Sequence, residues 1–232
     1  MPSFTLASFN ICSAHFREGH YTEENLARLA DCIHQSGADV VCLQEVDRGA
    51  ARSDRVDMTA RLADLTQLKH HYFIKIRDFQ GGEYGTAILS RYPIIQNKTI
   101  NYPVTVATQG TSCGYVVLDV AGVSVTVYNT HLSVENEESN TETLCCLGEV
   151  LSSARGLGGR FLCCGDFNTN PQKVARFIPW VSLAHNGLVT YADRSIDHIL
   201  YYGSLSVSNA RTLNTQKDKV TDHNMVLCEV TV

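Results

Sequence analysis

Six apolar runs in this chain end in residues that titrate or offer oxygen ligands: Phe9-Asn10, Leu43-Gln44-Glu45, Tyr128-Asn129-Thr130-His131, Gly165-Asp166-Phe167-Asn168, Ile196-Asp197-His198 and Thr221-Asp222-His223. Carboxylates, carboxamides and imidazoles make up these clusters, and no Lys or Arg stands in them. Carboxylate and amide oxygens together suit a hard divalent cation, Mg2+ first and Mn2+ as the alternative. Zinc calls for Cys and His at close spacing, which the neighbouring pairs Cys145-Cys146 and Cys163-Cys164 do not supply. Taken singly, each cluster also has a plain structural reading. Glu45 can be a solvated strand-end charge, and His131 a satisfied core imidazole. Asp166, Asn168 and Asp197 can be turn residues bonding their own backbone, and Asp222 and His223 a helix cap and a surface ring. Six such clusters in succession point instead to one shared rim of strand ends, where α/β proteins place chemistry.

The elements that must carry these residues follow from the hydrophobic pattern. Residues 3–11 read as a strand, and Thr22 caps a helix with Leu26, Leu29, Ala30 and Ile33 on one face and Gly37 as its stop. Residues 39–43 read as a short buried strand, and Asp57 caps a second helix carrying Met58, Leu62, Leu65 and Leu68. Strands over 72–76 and 86–89 flank a glycine-rich turn, Gly81-Gly82-Glu83-Tyr84-Gly85. The β-branched runs 114–120 and 123–128 flank Ala121-Gly122, a hairpin signal. A helix over about 140–153 carries Leu144, Leu147 and Leu151, and strands at 161–164, 196–201 and 225–232 complete the set. Hairpin-linked strands argue against a purely parallel sheet. The expected fold is α/β (α+β), with two mixed, mostly antiparallel sheets packed face to face and helices outside. No linker or repeat divides the chain, so one domain over 1–232 is expected.

Composition narrows the function classes. With 232 residues, 44% hydrophobic and 19% charged, the chain is neither disordered, collagen-like nor a coiled coil. No apolar run reaches the roughly 20 residues of a membrane span, so no stable membrane insertion is expected. A net charge of −5 without a basic block argues against binding nucleic acid by tracking phosphates, so any action on phosphate must come from a local site. Nine cysteines cannot all pair internally, and Cys42, Cys163, Cys164 and Cys228 sit in apolar runs as small buried hydrophobes. The first residues are strand-like rather than a basic stretch followed by an apolar one. Together these features lead to the expectation of a reducing, cytoplasmic setting.

The stretches Ser8-Phe9-Asn10-Ile11, Leu43-Gln44-Glu45-Val46, Asn129-Thr130-His131-Leu132, Gly165-Asp166-Phe167-Asn168, Ile196-Asp197-His198-Ile199 and Thr221-Asp222-His223 span nearly the whole chain. In them the chain resembles the endonuclease/exonuclease/phosphatase superfamily of metal-dependent phosphohydrolases, which includes deoxyribonucleases, abasic-site endonucleases, sphingomyelinases, deadenylases and inositol polyphosphate 5-phosphatases. It looks most similar to small bacterial members that carry Gln-Glu-Val-Asp-Arg and Gly-Gly-Glu-Tyr-Gly, as residues 44–48 and 81–85 do here. The resemblance implies a four-layer sandwich. It also implies that Glu45 is the main Mg2+ ligand, with Asn10 near the metal and the phosphate and Asp222 beside the metal. By the same resemblance Asp166 positions or deprotonates the attacking water, and Asn168 and His131 hold phosphate oxygens. Asp197 fixes the tautomer of His223, which sits against the scissile phosphate. Cys12 stands where abasic-site enzymes place an Asp, and Asp193-Arg194-Ser195-Ile196-Asp197 lacks the Trp-Cys-Asp-Arg run of the 5-phosphatases. Both substrate assignments lose weight accordingly.

Arg48, Arg52, Arg55 and Arg61 follow the Glu45 cluster closely. Their loop can overhang the site, with Arg52 gripping substrate phosphate, or it can be a solvated face. Tyr84 can stack on a base or headgroup, or be a turn tyrosine. The expected activity is Mg2+-dependent hydrolysis of a phosphodiester in a nucleic acid, nucleotide or phospholipid headgroup. A phosphomonoesterase acting on a small phosphorylated metabolite such as a sugar or inositol phosphate is the alternative, and a catalytically inactive binding module of the same fold the second. A monomer is expected.

Overall fold

Several strands of this chain are apolar on both faces, and such strands must be covered on both sides. A computed structural model, describing residues 1–16, 19–217 and 219–232, shows how the covering is done. One sheet contains β1 (Ser3–Asn10), β2 (Val40–Arg48), β3 (His70–Phe79), β4 (Gly82–Ser90), β11 (Ser206–Leu213) and β12 (Met225–Thr231), in the order β11-β12-β1-β2-β4-β3. The other contains β5 (Ile94–Asn101), β6 (Ser112–Val120), β7 (Val123–His131), β8 (Phe161–Asp166), β9 (Ser182–Leu183) and β10 (Asp197–Tyr202), in the order β5-β6-β7-β8-β10-β9. The β1–β2 and β7–β8 pairs run parallel, and the remaining neighbours are antiparallel.

Alternation along each strand distributes its side chains between two cores. Val40 and Cys42 of β2, with Leu6, Ile88 and Val226, face Val116, Val127, Leu162 and Ile199 of the second sheet. Val41 and Leu43, one residue out of phase, face Leu26, Leu29 and Ile33 of α1 (Glu23–Ser36) and Met58 and Leu62 of α2 (Met58–Thr66). On the far side, Tyr128, Phe161 and Cys163 pack on Leu144, Leu147 and Leu151 of α3 (Glu137–Gly156) and Val174 of α4 (Pro171–Phe177). Four layers result: helices, sheet, sheet, helices.

The helix ends are set by the residues that signal them. The Thr22 hydroxyl accepts from the Asn25 amide, and Gly37 closes α1 at φ 69. The Asp57 carboxylate accepts from the Ala60 amide at the start of α2. A reciprocal pair between Asn136 and Ser139 starts α3 at Glu137, three residues earlier than its leucine spacing indicates.

Two expectations change. The turn between β3 and β4 is Gln80-Gly81, at φ 48 and 74, so Tyr84 lies within β4 rather than in a glycine-rich turn. Strand β2 runs on through Glu45 to Arg48, beyond the expected end at Leu43. Among the described residues no helix is long and apolar enough to cross a membrane. Cys42, Cys163, Cys164 and Cys228 are buried as free thiols.

Candidate active site

The pleat of β2 breaks where the chemistry begins. Pairing of β2 with β4 shifts between Leu43 and Val46, and Glu45 stands there in the left-handed region at φ 57. Such a bulge redirects a side chain out of the alternating pattern. Beside it, Val46 pairs with Gly85, whose other neighbour is Lys75 of β3. A Cβ at Gly85 would lie 2.1 Å from the Ile74 carbonyl oxygen, so only glycine lets the strands close at this level. The β3–β4 pairing shifts as well, between Lys75 and Arg77.

Asn10 ends β1 and ties the two sheets together. Its Nδ2 donates to Glu45 Oε1 at 3.1 Å and to Asp166 Oδ2 at 3.0 Å, while its Oδ1 accepts from the Cys12 amide. Beneath it, Gln44 Nε2 donates to Asn129 Oδ1 at 2.8 Å, and Asn129 Nδ2 donates to the carbonyls of Leu43 and Ala87. This fully buried crossing of the inter-sheet space holds the two rims in register.

Asp166 ends β8 and pairs directly with Asp197, the first residue of β10. Burial raises the Asp166 pKa, the Asp197 charge adds to that, and His131 and His223 oppose it. His223 precedes β12, and its Nδ1 donates to Asp197 Oδ2 at 2.9 Å. That bond places the second ring nitrogen, Nε2, 3.7 Å from Asp166 Oδ2. Burial pushes the His223 pKa down, but the Asp197 hydrogen bond and the charges of Asp197, Asp166 and Asp222 outweigh it and raise the value to about 9. His131 ends β7 with Nε2 3.6 Å from Asp166 Oδ2. Asn168 turns at φ 49, donates its side-chain amide to the Leu132 carbonyl and its backbone amide to Asp166 Oδ1.

Glu45, His131, Asp166, Asn168, Asp222, His223 and Tyr84 line one cleft of about 240 Å³, and Asn10 sits directly behind Glu45 and Asp166. The residues expected from the sequence thus come together, with one placed differently. The Arg52 fork closes on buried Asp47 at 2.7 and 2.8 Å and lies over Phe79, outside the lining of the cleft. Arg48 and Arg61 pair with Glu83 and Glu23, and Arg55 donates to the carbonyls of Gly49, Gln80 and Gly81. These groups stabilise the loop that follows β2.

The donor set fits a hard cation. Glu45 and Asp222 offer carboxylate oxygens at the cleft, and Asn10 orients the Glu45 carboxylate. Asp166, Asp197 and His223 also bring ligand atoms within 4.8 Å of one another. There, however, the Asp197–His223 hydrogen bond already uses His223 Nδ1. The cleft has further walls that no strand-end pattern announced: Arg77, Gln109, Tyr191 and Arg194. Tyr191 packs on the His223 ring with centroids 4.7 Å apart.

The sequence pattern of the endonuclease/exonuclease/phosphatase family matches residues 7–223. No functionally curated protein matches the chain. Among solved structures, an endonuclease/exonuclease/phosphatase from Beutenbergia cavernae superposes with a TM-score of 0.81 at 20% identity, covering 100% of this chain and 72% of that one. The catalytic domain of human nocturnin, with a bound sulfate anion, gives 0.75 at 19% identity over 99% of this chain and 93% of that one. The mannosyl-6-phosphatase Bt3783 of Bacteroides thetaiotaomicron gives 0.72 at 14% identity over 99% of this chain and 100% of that one. At such identities the likeness is one of fold, whereas the matched pattern spans the strand-end residues from β1 to His223. The chain belongs to the endonuclease/exonuclease/phosphatase family.

Proposed function

We propose that residues 1–232 act as a single-domain, monomeric, cytoplasmic hydrolase of phosphate esters, phosphodiesters first, that depends on Mg2+ and accepts Mn2+ in its place. The observation that carries this reading is the Asn10 amide, which bridges the carboxylates of Glu45 and Asp166 while His223 stands 3.7 Å from the same Asp166 oxygen. Glu45 and Asp222, which both line the cleft, would hold the cation, which when bound would neutralise charge on the phosphate oxygens and acidify water. Asp166, its pKa raised by burial, accepts a proton from the attacking water. The new P–O bond forms as the bond to the leaving oxygen breaks; the leaving oxygen takes a proton from solvent water and Asp166 returns its proton to solvent, so a diester and water give a monoester and an alcohol. His223, oriented by Asp197, whose hydrogen bond and charge raise the imidazole pKa, donates a hydrogen bond to the phosphate as its charge moves. His131 and Asn168 hold further phosphate oxygens, and Tyr84 forms part of the wall on which the leaving group rests.

The test is hydrolysis of bis(p-nitrophenyl) phosphate against p-nitrophenyl phosphate, with Mg2+ and with excess chelator. Turnover of the diester should require the metal. H223A and D166N should each lower kcat by about 10²-fold or more with folding intact by circular dichroism. Chelator-resistant hydrolysis would end the metal assignment, and turnover of the monoester alone would favour the phosphomonoesterase.

A further inference from the structure

Arg28, Arg48, Arg52, Arg61 and Arg91 each pair with a carboxylate. Among the described arginines Arg55, Arg77, Arg155, Arg160, Arg176, Arg194 and Arg211 form no ion pair, and of these Arg77 and Arg194 line the cleft.

Both are nevertheless held in place. Arg77 follows the irregularity in β3, lies half-buried 5.2 Å from the Tyr84 ring centroid and 5.3 Å from that of Phe79, and donates Nη1 to Gln109 Oε1 at 3.0 Å. Its Nε is buried and has no partner. Gln109 is itself fixed, because the Glu135 carboxylate accepts from the Thr108 and Gln109 amides. On the opposite chain segment, Arg194 lies 4.9 Å from the Tyr191 centroid, and that ring packs on His223. The Arg194 charge is therefore one aromatic ring away from the imidazole at the scissile phosphate.

A half-buried guanidinium with a dry, unpartnered N–H is costly unless something satisfies it. The half-buried Arg77 and the exposed Arg194 share one cleft with the carboxylates of Glu45, Glu135, Asp166 and Asp222, so it attracts an anion at the two guanidinium groups and a cation at the carboxylates. We propose that the substrate carries a second phosphate group besides the scissile one, gripped by Arg77 and Arg194. This rests on the hydrolase reading above only for the identity of the scissile phosphate. The second group can belong to a nucleotide or to a sugar bisphosphate, which share the chemistry that the two forks recognise.

Calorimetric titration of the full chain in Ca2+ tests the proposal through binding alone. One arm compares thymidine 3′,5′-bisphosphate with thymidine 5′-phosphate, and the other fructose 1,6-bisphosphate with fructose 6-phosphate. In one arm the bisphosphate should bind about tenfold tighter or better, the least expected from one added charged hydrogen bond. That arm names the source of the second phosphate. R77Q and R194Q should each bring the preference close to unity, and R77K should retain part of it. Arg194 is exposed, so R194Q tests the idea even if R77Q fails to fold. Equal affinities in both arms, or a preference that survives both substitutions, would overturn the proposal. Hydrolysis of bis(p-nitrophenyl) phosphate, measured alongside, separates the two readings. Turnover without a bisphosphate preference removes only the second-phosphate site, and a preference without turnover removes only the hydrolase.

Discussion

Glu45 keeps a left-handed backbone at φ 57, a conformation that costs a residue with a Cβ about 1–2 kcal/mol. Asparagine tolerates that region, and E45N also removes one carboxylate from beside Asp166 and Asp222. The variant should therefore melt at or above the wild-type temperature by scanning calorimetry while losing metal-dependent turnover, and a clear drop in Tm would show that the strain is not there. His198 makes the opposite kind of statement. Burial lowers its pKa to about 4, and its Nε2 donates to the Thr169 carbonyl at 2.8 Å. In the fold it stays neutral, while the unfolded chain takes up a proton below about 6.5. Stability should fall as pH drops from about 6.5 toward 4, and urea titrations of H198Q should show a shallower loss over that window. The titratable residues of the site were legible as types at strand ends. Tyr191, Arg77 and the Gln44–Asn129 crossing were not, because their meaning comes from partners on other strands.

At the scale of elements, the bulges of β2 and β3 flank one glycine of β4. G85A drives a methyl group into the Ile74 carbonyl, so the strands must separate where Glu45 and Arg77 are aimed. The expected loss is about 2–3 kcal/mol by urea denaturation, accompanied by weaker metal-dependent turnover. Elements with a clear apolar pattern between recognisable ends were readable: α1, apolar along one face, and the β6–β7 hairpin stand almost where their caps and turn place them. Strands β5 and β11 escaped notice for the converse reason. They form sheet edges, contain no fully buried residue, and carry no strict alternation to read. Helix α4 has seven residues, too short for a period, although Asn170 caps it and Pro171 begins it.

Across the whole molecule, the site draws on both sheets and on segments far apart in the sequence. Asn10 belongs to β1, Asp166 and Asp197 to the other sheet, and His223 is held by the chain entering β12, where Thr221 donates to the Asn10 carbonyl. Strand β1 lies between β2 and β12, pairing Ser3 with Thr231 and Ser8 with Val226. During synthesis β1 therefore lacks its β12 neighbour until residues Met225–Thr231 have been made. Nascent chains stalled before residue 223 lack the imidazole and should be inert toward bis(p-nitrophenyl) phosphate, even with Asn10, Glu45 and Asp166 already synthesised. Of the residues assigned to the site, the imidazole of His223 is thus the last to be made.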